Sequence, residues 1–202
     1  MSTESRHAQR SNATRRKLIA AARELFAARG YADVGTTEIV AAAGVTRGAL
    51  YHQFADKAEL LAAVVDEIDA EMTQELATGA MAAGDGDPIA ILTAGAAAFL
   101  EAVTRQDVHR VLLVDALPVL GWERWREIGL RHGLGLIEAV LRQGIDDGVL
   151  RDVPTRPLAH VLLAAIDEAA LYVVAADDPD AARREMLEAI TPLIDGLRAP
   201  AT

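Results

Sequence analysis

An all-α fold follows from three features of the sequence. Alanine and leucine lead a composition that is 51% hydrophobic, and both are strong helix formers. Valine and isoleucine rarely alternate with polar residues, so the period-two signature of a half-buried strand is missing. Glycine, proline and aspartate collect between segments whose apolar residues recur at helical spacing, where they act as start and stop signals.

The first helix is expected to begin near Asn12 or Thr14, with Leu18, Ile19, Ala22, Leu25 and Phe26 on one face and Gly30 as the terminating glycine. Arg15, Arg16 and Lys17 would then stand at its start, where the helix dipole disfavours cations. A short second helix is expected from an N-cap at Thr36 or Thr37 to Gly44, and a third from Thr46 to near Phe54. Asp56 with Glu59 three residues on reads as a capping box opening a long fourth helix through Leu60, Leu61, Val64, Val65 and Ile68. "TGAMAAGDGDP" reads as a connection, and Asp87–Pro88 as N-cap and first residue of the next helix. Helices are then expected around 88–104, 107–116, 122–147, 156–176 and 179–198, with Pro192 kinking the last.

Several classes are excluded or disfavoured. The chain has 202 residues and no cysteine, so disulfides and thiolate metal sites are out, and a cytoplasmic location is expected. The first residues carry no apolar signal segment. The longest apolar stretch, "LAHVLLAAIDEAALYVVAA", is broken by Asp167 and Glu168, which favours a buried helix over a membrane span. The five histidines are scattered without metal-ligand spacing, and neither a cofactor nor a metal is expected. No nucleophile–base pair or phosphate loop supports an enzyme.

Net charge is −10, but it is unevenly spread. Residues 1–57 hold nine Lys and Arg against five Asp and Glu, whereas residues 58–202 hold eleven against twenty-five. A small basic head precedes an acidic body. Basic surface of this kind suits the phosphates of nucleic acid.

The head carries the motif. Two short helices joined through Gly44 spell a helix-turn-helix, and the glycine suits a left-handed turn. Val45, Leu50 and Phe54 would pack the second helix inward, leaving Gly48, Tyr51 and His52 outward and Thr46 and Arg47 at its N-terminal tip. In such a motif that tip meets base edges in the major groove. Arg47 can fork onto a guanine, and Thr46, Tyr51 and His52 can donate to phosphates. Gly48 and Ala49 permit close approach, and the Ala49 methyl can meet a thymine methyl. Arg47 and Lys57 both fall in the first turn of a helix, a placement that a nearby phosphate would explain.

"ARELFAARGYADVGTTEIVAAAGVTRGALYHQFADKAELL" resembles the DNA-binding segment of the TetR family of bacterial transcriptional regulators, with a detailed match over residues 18–61. "VLGWERWREI" and "LIDGLR" add a looser likeness. The resemblance implies a three-helix DNA-binding domain over residues 1–56, followed by a larger helical ligand-binding and dimerisation domain over 57–202. By position, Thr37, Thr46, Arg47, Gly48, Ala49, Tyr51, His52 and Lys57 match the family's DNA-contacting residues. Val40 departs from the pattern, standing where the family commonly has alanine. The resemblance further implies a homodimer on a palindromic operator, and repression relieved by a small-molecule effector. An activator of the same fold is the alternative, and an all-helical enzyme a more remote one. No membrane partner is expected.

In the body, Phe99, Trp122, Trp125 and Tyr172 are the only aromatics. Together with His109, His132, Asp167 and Glu168, polar residues inside apolar runs, they are the candidates for an effector pocket. Asp115 is a further polar residue in such a run. Simple packing accounts equally for the two tryptophans. Met186, Ile190, Leu193 and Leu197, with Leu158, Leu162, Ala165 and Ala169 on the preceding helix, form stripes suited to a four-helix dimer interface through the last two helices.

Overall fold

The computed structural model describes residues 3–200, with side chains from residue 8 onward. Among the described residues the chain forms ten α-helices and one π-helical segment, with a single isolated bridge between Leu150 and Arg198. The helices are α1 (Thr3–Arg29), α2 (Thr36–Ala42), α3 (Arg47–Gln53), α4 (Lys57–Gly84) and α5 (Pro88–Ala102). The π-helical segment π1 (Val108–Asp115) leads into α6 (Ala116–Leu120). Then come α7 (Trp122–His132), α8 (Leu134–Asp146), α9 (Thr155–Ala175) and α10 (Pro179–Asp195).

Two compact units result: Met1–Ile68 with Gln106–Trp125, and Asp69–Arg105 with Arg126–Thr202. The border expected at 56/57 therefore falls inside the first unit. The first unit also recruits π1 and α6, a segment that sequence proximity assigns to the body.

In the first unit α1 packs on α2, α3 and π1. Leu18, Ala22, Phe26, Ile39, Leu50 and Leu61 are fully enclosed, with Phe54 nearly so. Burying each larger side chain contributes about 1.5–3 kcal/mol. The α1–α2 turn depends on Gly30, whose φ of +86° is left-handed. A Cβ there would also lie 2.5 Å from the Arg110 guanidinium.

Three expectations at this end are corrected. α1 begins at Thr3, not near Asn12 or Thr14, because residues 3–17 contain no glycine or proline to stop it. The Thr14 hydroxyl donates back to the Arg10 carbonyl at 3.0 Å instead of capping, so Arg15–Lys17 lie mid-helix. α2 is capped by Gly35, with Glu38 accepting from the Gly35 N–H at 2.9 Å, so Thr36 and Thr37 are already helical. α4 continues to Gly84 through the segment expected as a connection, leaving Asp85 and Gly86 as the turn. Asp87 then caps α5 by accepting from the Ile89 N–H at 3.2 Å.

The second unit packs α5, α8, α9 and α10 against one another. The helix expected over 122–147 divides at Gly133 into α7 and α8. Part of the expected "LPVLG" connection is helical, as α6. By length and composition α9 could cross a membrane. Its inward face, Ala159, Leu163, Asp167, Ala170 and Val173, is buried within the unit. Pro192 stands inside α10, where it can donate no hydrogen bond to the carbonyl four residues earlier.

Candidate nucleic-acid interface

The short helix α3 has one buried residue, Leu50. Anchoring through Leu50 and the flanking Phe54 turns the opposite face outward: Thr46, Arg47, Gly48, Tyr51 and His52 are exposed, and Ala49 is half-buried. Thr37 on α2 is exposed as well. Thr46 is the N-cap, its hydroxyl accepting from the Ala49 N–H at 3.2 Å. The turn before it rests on Gly44, left-handed at φ +64°, and on a Val45 N–H to Val40 carbonyl bond of 3.0 Å. Val40 is accommodated in the core beneath this turn.

Arg47 and Tyr51 are neighbours one turn apart. The Arg47 guanidinium lies 5.6 Å from the centre of the Tyr51 ring. A hydrogen bond from Arg47, reinforced by one from Thr36, holds the Tyr51 phenol below its usual pKa.

Lys57 is placed differently from the expectation. Its half-buried ammonium donates to the carbonyls of Tyr31 at 2.9 Å and Val34 at 3.0 Å, and sits 3.9 Å from the Tyr31 ring centre. A phosphate is thus not needed to account for a cation in this turn, which corrects the expectation: two backbone acceptors on the α1–α2 turn explain it within the chain. Two of the three ammonium donors are used.

Other charged groups of this unit brace the motif. Arg29 pairs with Glu38 at 2.6 Å, holding that carboxylate below its usual range. Arg23 pairs with Asp107 at 2.9 Å. Asp115 on π1 accepts from the Tyr31 N–H at 2.8 Å. Asp56 caps α4 at the Glu59 N–H, 2.8 Å, but the Glu59 carboxylate turns to Arg124 instead of completing the expected box. These pairings join residues up to 84 positions apart, and no periodicity in the sequence announces them.

The effector candidates are divided between the two units. His109, Trp122 and Trp125 belong to the first unit, and Phe99, His132, Asp167, Glu168 and Tyr172 to the second. Trp125 is buried and donates from Nε1 to the Leu112 carbonyl at 2.9 Å, the behaviour of a core tryptophan. Trp122 stacks on it at 5.4 Å and is 53% exposed. His109, Phe99 and His132 are half-buried. Glu168 and Tyr172 lie on the exposed side of α9, a helical step away from its inward face, so they do not line the interior of the unit. Asp167 does point inward, where Arg126 holds it at 2.7 Å. Burial outweighs that partner, with Asp69 adding repulsion, and pushes the Asp167 carboxyl up to about 6. Among the described residues no cluster of His, Asp and Glu could hold a metal ion.

The comparisons agree with this geometry. Residues 18–64 match the family model described as bacterial regulatory proteins, tetR family, and residues 89–197 match a tetracyclin repressor-like C-terminal domain. The transposon Tn10 TetC protein of Escherichia coli is 28% identical over 79% of this chain and 80% of its own. The HTH-type transcriptional regulator AcrR of Shigella flexneri is 32% identical over 52% of this chain and 48% of its own. The crystal structure of a TetR-family transcriptional regulator from Pectobacterium atrosepticum superposes with a TM-score of 0.84 and 33% identity, covering 96% of this chain and 98% of that one. The crystal structure of RolR in complex with the ligand resorcinol shares the fold, with a TM-score of 0.73 and 21% identity over 96% and 98% of the chains.

Proposed function

The chain belongs to the TetR family of bacterial regulatory proteins and is a DNA-binding transcriptional regulator; from that premise we propose that it is a homodimeric repressor, released from a palindromic operator by a small molecule. The observation that supports this reading most directly is the face of α3. Leu50 fixes the helix from behind, and Thr46, Arg47, Gly48, Tyr51 and His52 stand exposed in front.

Arg47 reads a guanine through a bidentate contact, and Thr37, Thr46, Tyr51 and His52 fix register on phosphates. Gly48 and Ala49 let the helix backbone lie close to the base edges. Lys57 keeps one donor for a phosphate while the other two hold the α1–α2 turn.

The homodimer forms through α9 and α10, whose outer faces expose Val161 (63%), Tyr172 (48%) and Leu193 (64%). Two α3 helices are then presented about 34–36 Å apart, one duplex turn. The effector binds in the second unit, whose interior carries half-buried Phe99 and His132 and buried Asp167. An effector that favours another spacing shifts the population away from the DNA-bound form. α4 runs unbroken from Lys57 to Gly84 and carries that shift.

Selection of binding sites from random duplex DNA with the purified protein tests the reading. The expected result is an enriched inverted repeat with half-sites one helical turn apart. Absence of any enriched sequence would overturn it. A reporter under the recovered site then rises when the gene is deleted if the protein represses, and falls if it activates.

A further inference from the structure

The inward face of α1 does not stop where its apolar stripe does. Leu18, Ala22 and Phe26 are fully enclosed along one line of the helix. Continued towards the N-terminus at helical spacing, that line falls on Arg15 and then Ser11. Both are half-buried, whereas the adjacent Asn12 and Arg16 are exposed. A serine and an arginine drawn into a buried line need partners, and both find them at the end of the recognition helix.

The Ser11 hydroxyl accepts from Gln53 Nε2 at 2.8 Å. One turn later the Arg15 guanidinium covers the Phe54 ring at 4.5 Å from its centre, within reach of a cation–π contact. Gln53 is the last residue of α3, and at Phe54 the backbone leaves the helix for an extended conformation. Two residues one turn apart on α1 thus hold two consecutive residues at the exit of α3. The Arg15 charge also reaches α4. Hydrogen bonds from Arg124 hold the Glu59 carboxyl below its usual range, and the charges of Arg124 and Arg15 add to that shift.

The recognition helix needs such a hold. It has seven residues, spans about 10 Å and buries Leu50 alone. Its N-terminal end is set by Gly44, by the Val45 bond to Val40 and by the Thr46 cap. A helix fixed at one end and pinned near its middle can still swing at the other. Its side chains keep their preference only while they stay within about 0.5 Å and 10–20° of the productive geometry. We propose that Ser11 and Arg15 fix the angle at which α3 meets the bases, and so act as positioning residues for the sequence preference of Arg47. This rests on the reading of α3 as the recognition helix. Neither residue has to touch DNA in this role, since their polar groups are engaged by Gln53 and Phe54.

The test uses the full-length protein and the operator recovered by selection. A second duplex carries one replaced base pair per half-site, at the position where Arg47→Ala relaxes preference. The ratio of the two affinities is measured. Loss of folded protein weakens both duplexes alike and leaves the ratio unchanged, so the ratio separates positioning from a merely structural role. Ser11→Ala alters no charge and is expected to lower the ratio about two- to tenfold, the scale of one net hydrogen bond. Arg15→Met removes the charge but keeps an extended side chain. It is expected to lower the ratio comparably, with the slope of log K against log salt as in the parent. Ser11→Thr and Arg15→Lys are expected to restore most of the ratio, because the hydroxyl and the cation over the ring are kept. A ratio equal to the parent's in both Ser11→Ala and Arg15→Met would overturn the proposal. So would an unchanged ratio in Arg15→Met with a slope reduced by about 0.9, which would mark Arg15 as a phosphate contact. If Arg47→Ala relaxes preference at no position, the reading of α3 fails instead, so the two failures are distinct.

Discussion

Lys57 sits on Tyr31 twice over: its ammonium lies 2.9 Å from the Tyr31 carbonyl oxygen and 3.9 Å from the centre of the Tyr31 ring. The same nitrogen reaches the Val34 carbonyl at 3.0 Å, so one side chain at the start of α4 fixes both ends of the turn between α1 and α2. Hydrogen bonds to a charged donor contribute about 1.5–3 kcal/mol and a partly exposed cation–π contact about 0.5–1 kcal/mol, and these overlap. Lys57→Ala is therefore expected to lower stability by about 1–3 kcal/mol in denaturant unfolding. It is also expected to weaken all DNA sequences alike and to reduce the salt slope. A variant with unaltered stability would contradict the bracing role, and an unaltered slope would contradict the phosphate contact.

Arg47 and Tyr51 yield a coupled prediction. The Arg47 guanidinium lies 5.6 Å from the Tyr51 ring centre and holds the Tyr51 phenol below its usual pKa, so the two side chains share one exposed patch. Arg47→Ala is expected to cost about 1–3 kcal/mol of operator affinity and to relax preference at one base pair per half-site. Tyr51→Phe is expected to lose affinity and part of that same preference. In a double-mutant cycle the two losses are expected to sum to more than the loss in the double variant, since each removes part of one arrangement. Strict additivity would show that Tyr51 does not position Arg47.

What the sequence disclosed and what it hid divide by range. Gly30, Gly44, Thr46 and Asp87 each act within four residues, and each does in the structure what its local signal implied, while Asp56 caps α4 without the expected box to Glu59. The start of α1 was hidden because a polar run without glycine or proline looks like a tail by composition yet contains nothing that stops a helix. The extension of α4 was hidden by Gly79 and Gly84, which read as breakers but cost only about 1 kcal/mol each against alanine, within reach of a long packed helix. The recruitment of π1 and α6 to the first unit was beyond local reading altogether. It rests on pairs such as Tyr31 with Asp115 and Arg110 with the Arg29 carbonyl, far apart in the chain. In the recognition helix, by contrast, Leu50 and Phe54 set the buried side through spacing alone, so its exposed residues could be named in advance. Lys57 could not be understood so, because its acceptors are backbone carbonyls without a side-chain signature.

The outer faces of α9 and α10 lead to a prediction about assembly. The expected stripe on α10 is divided: Ile190 is buried in the unit's own core, while Leu193 is 64% exposed. On α9, Ala169 is likewise internal and Val161 is 63% exposed. Leu193→Glu therefore leaves the core untouched but places a charge at the proposed dimer contact. It is expected to shift the protein to a monomer in light scattering with an unchanged helical circular dichroism spectrum. Operator affinity is expected to fall steeply, because the two half-sites would no longer be bound together. A variant that stays dimeric would place the interface elsewhere.

The ion pair of Asp167 and Arg126 makes stability depend on pH in an uncommon direction. Burial raises the Asp167 carboxyl from 3.8 to about 6, against the opposing pull of Arg126 2.7 Å away and with added repulsion from Asp69. The folded state thus holds this proton more tightly than the unfolded chain does. Between about pH 4 and 6 the native protein binds more protons at this group, so its contribution to stability grows as pH falls through 6 and is fully developed below 4. A difference of about two pKa units corresponds to about 3 kcal/mol. Glu38, Glu59 and Asp87 are shifted the other way by their arginine partners, and their stabilisation is lost as pH falls below about 4.5, beneath the upper part of the Asp167 window. The stability of the parent relative to Asp167→Asn, followed by urea unfolding from pH 7.5 to 4.5, is therefore expected to increase steadily on acidification, with most of the change below pH 6. Loss of the Arg126 partner charge sets a constant offset between the two proteins and leaves the slope intact. A flat difference across this range would show that Asp167 keeps an ordinary carboxyl and that its burial is relieved by the surrounding groups.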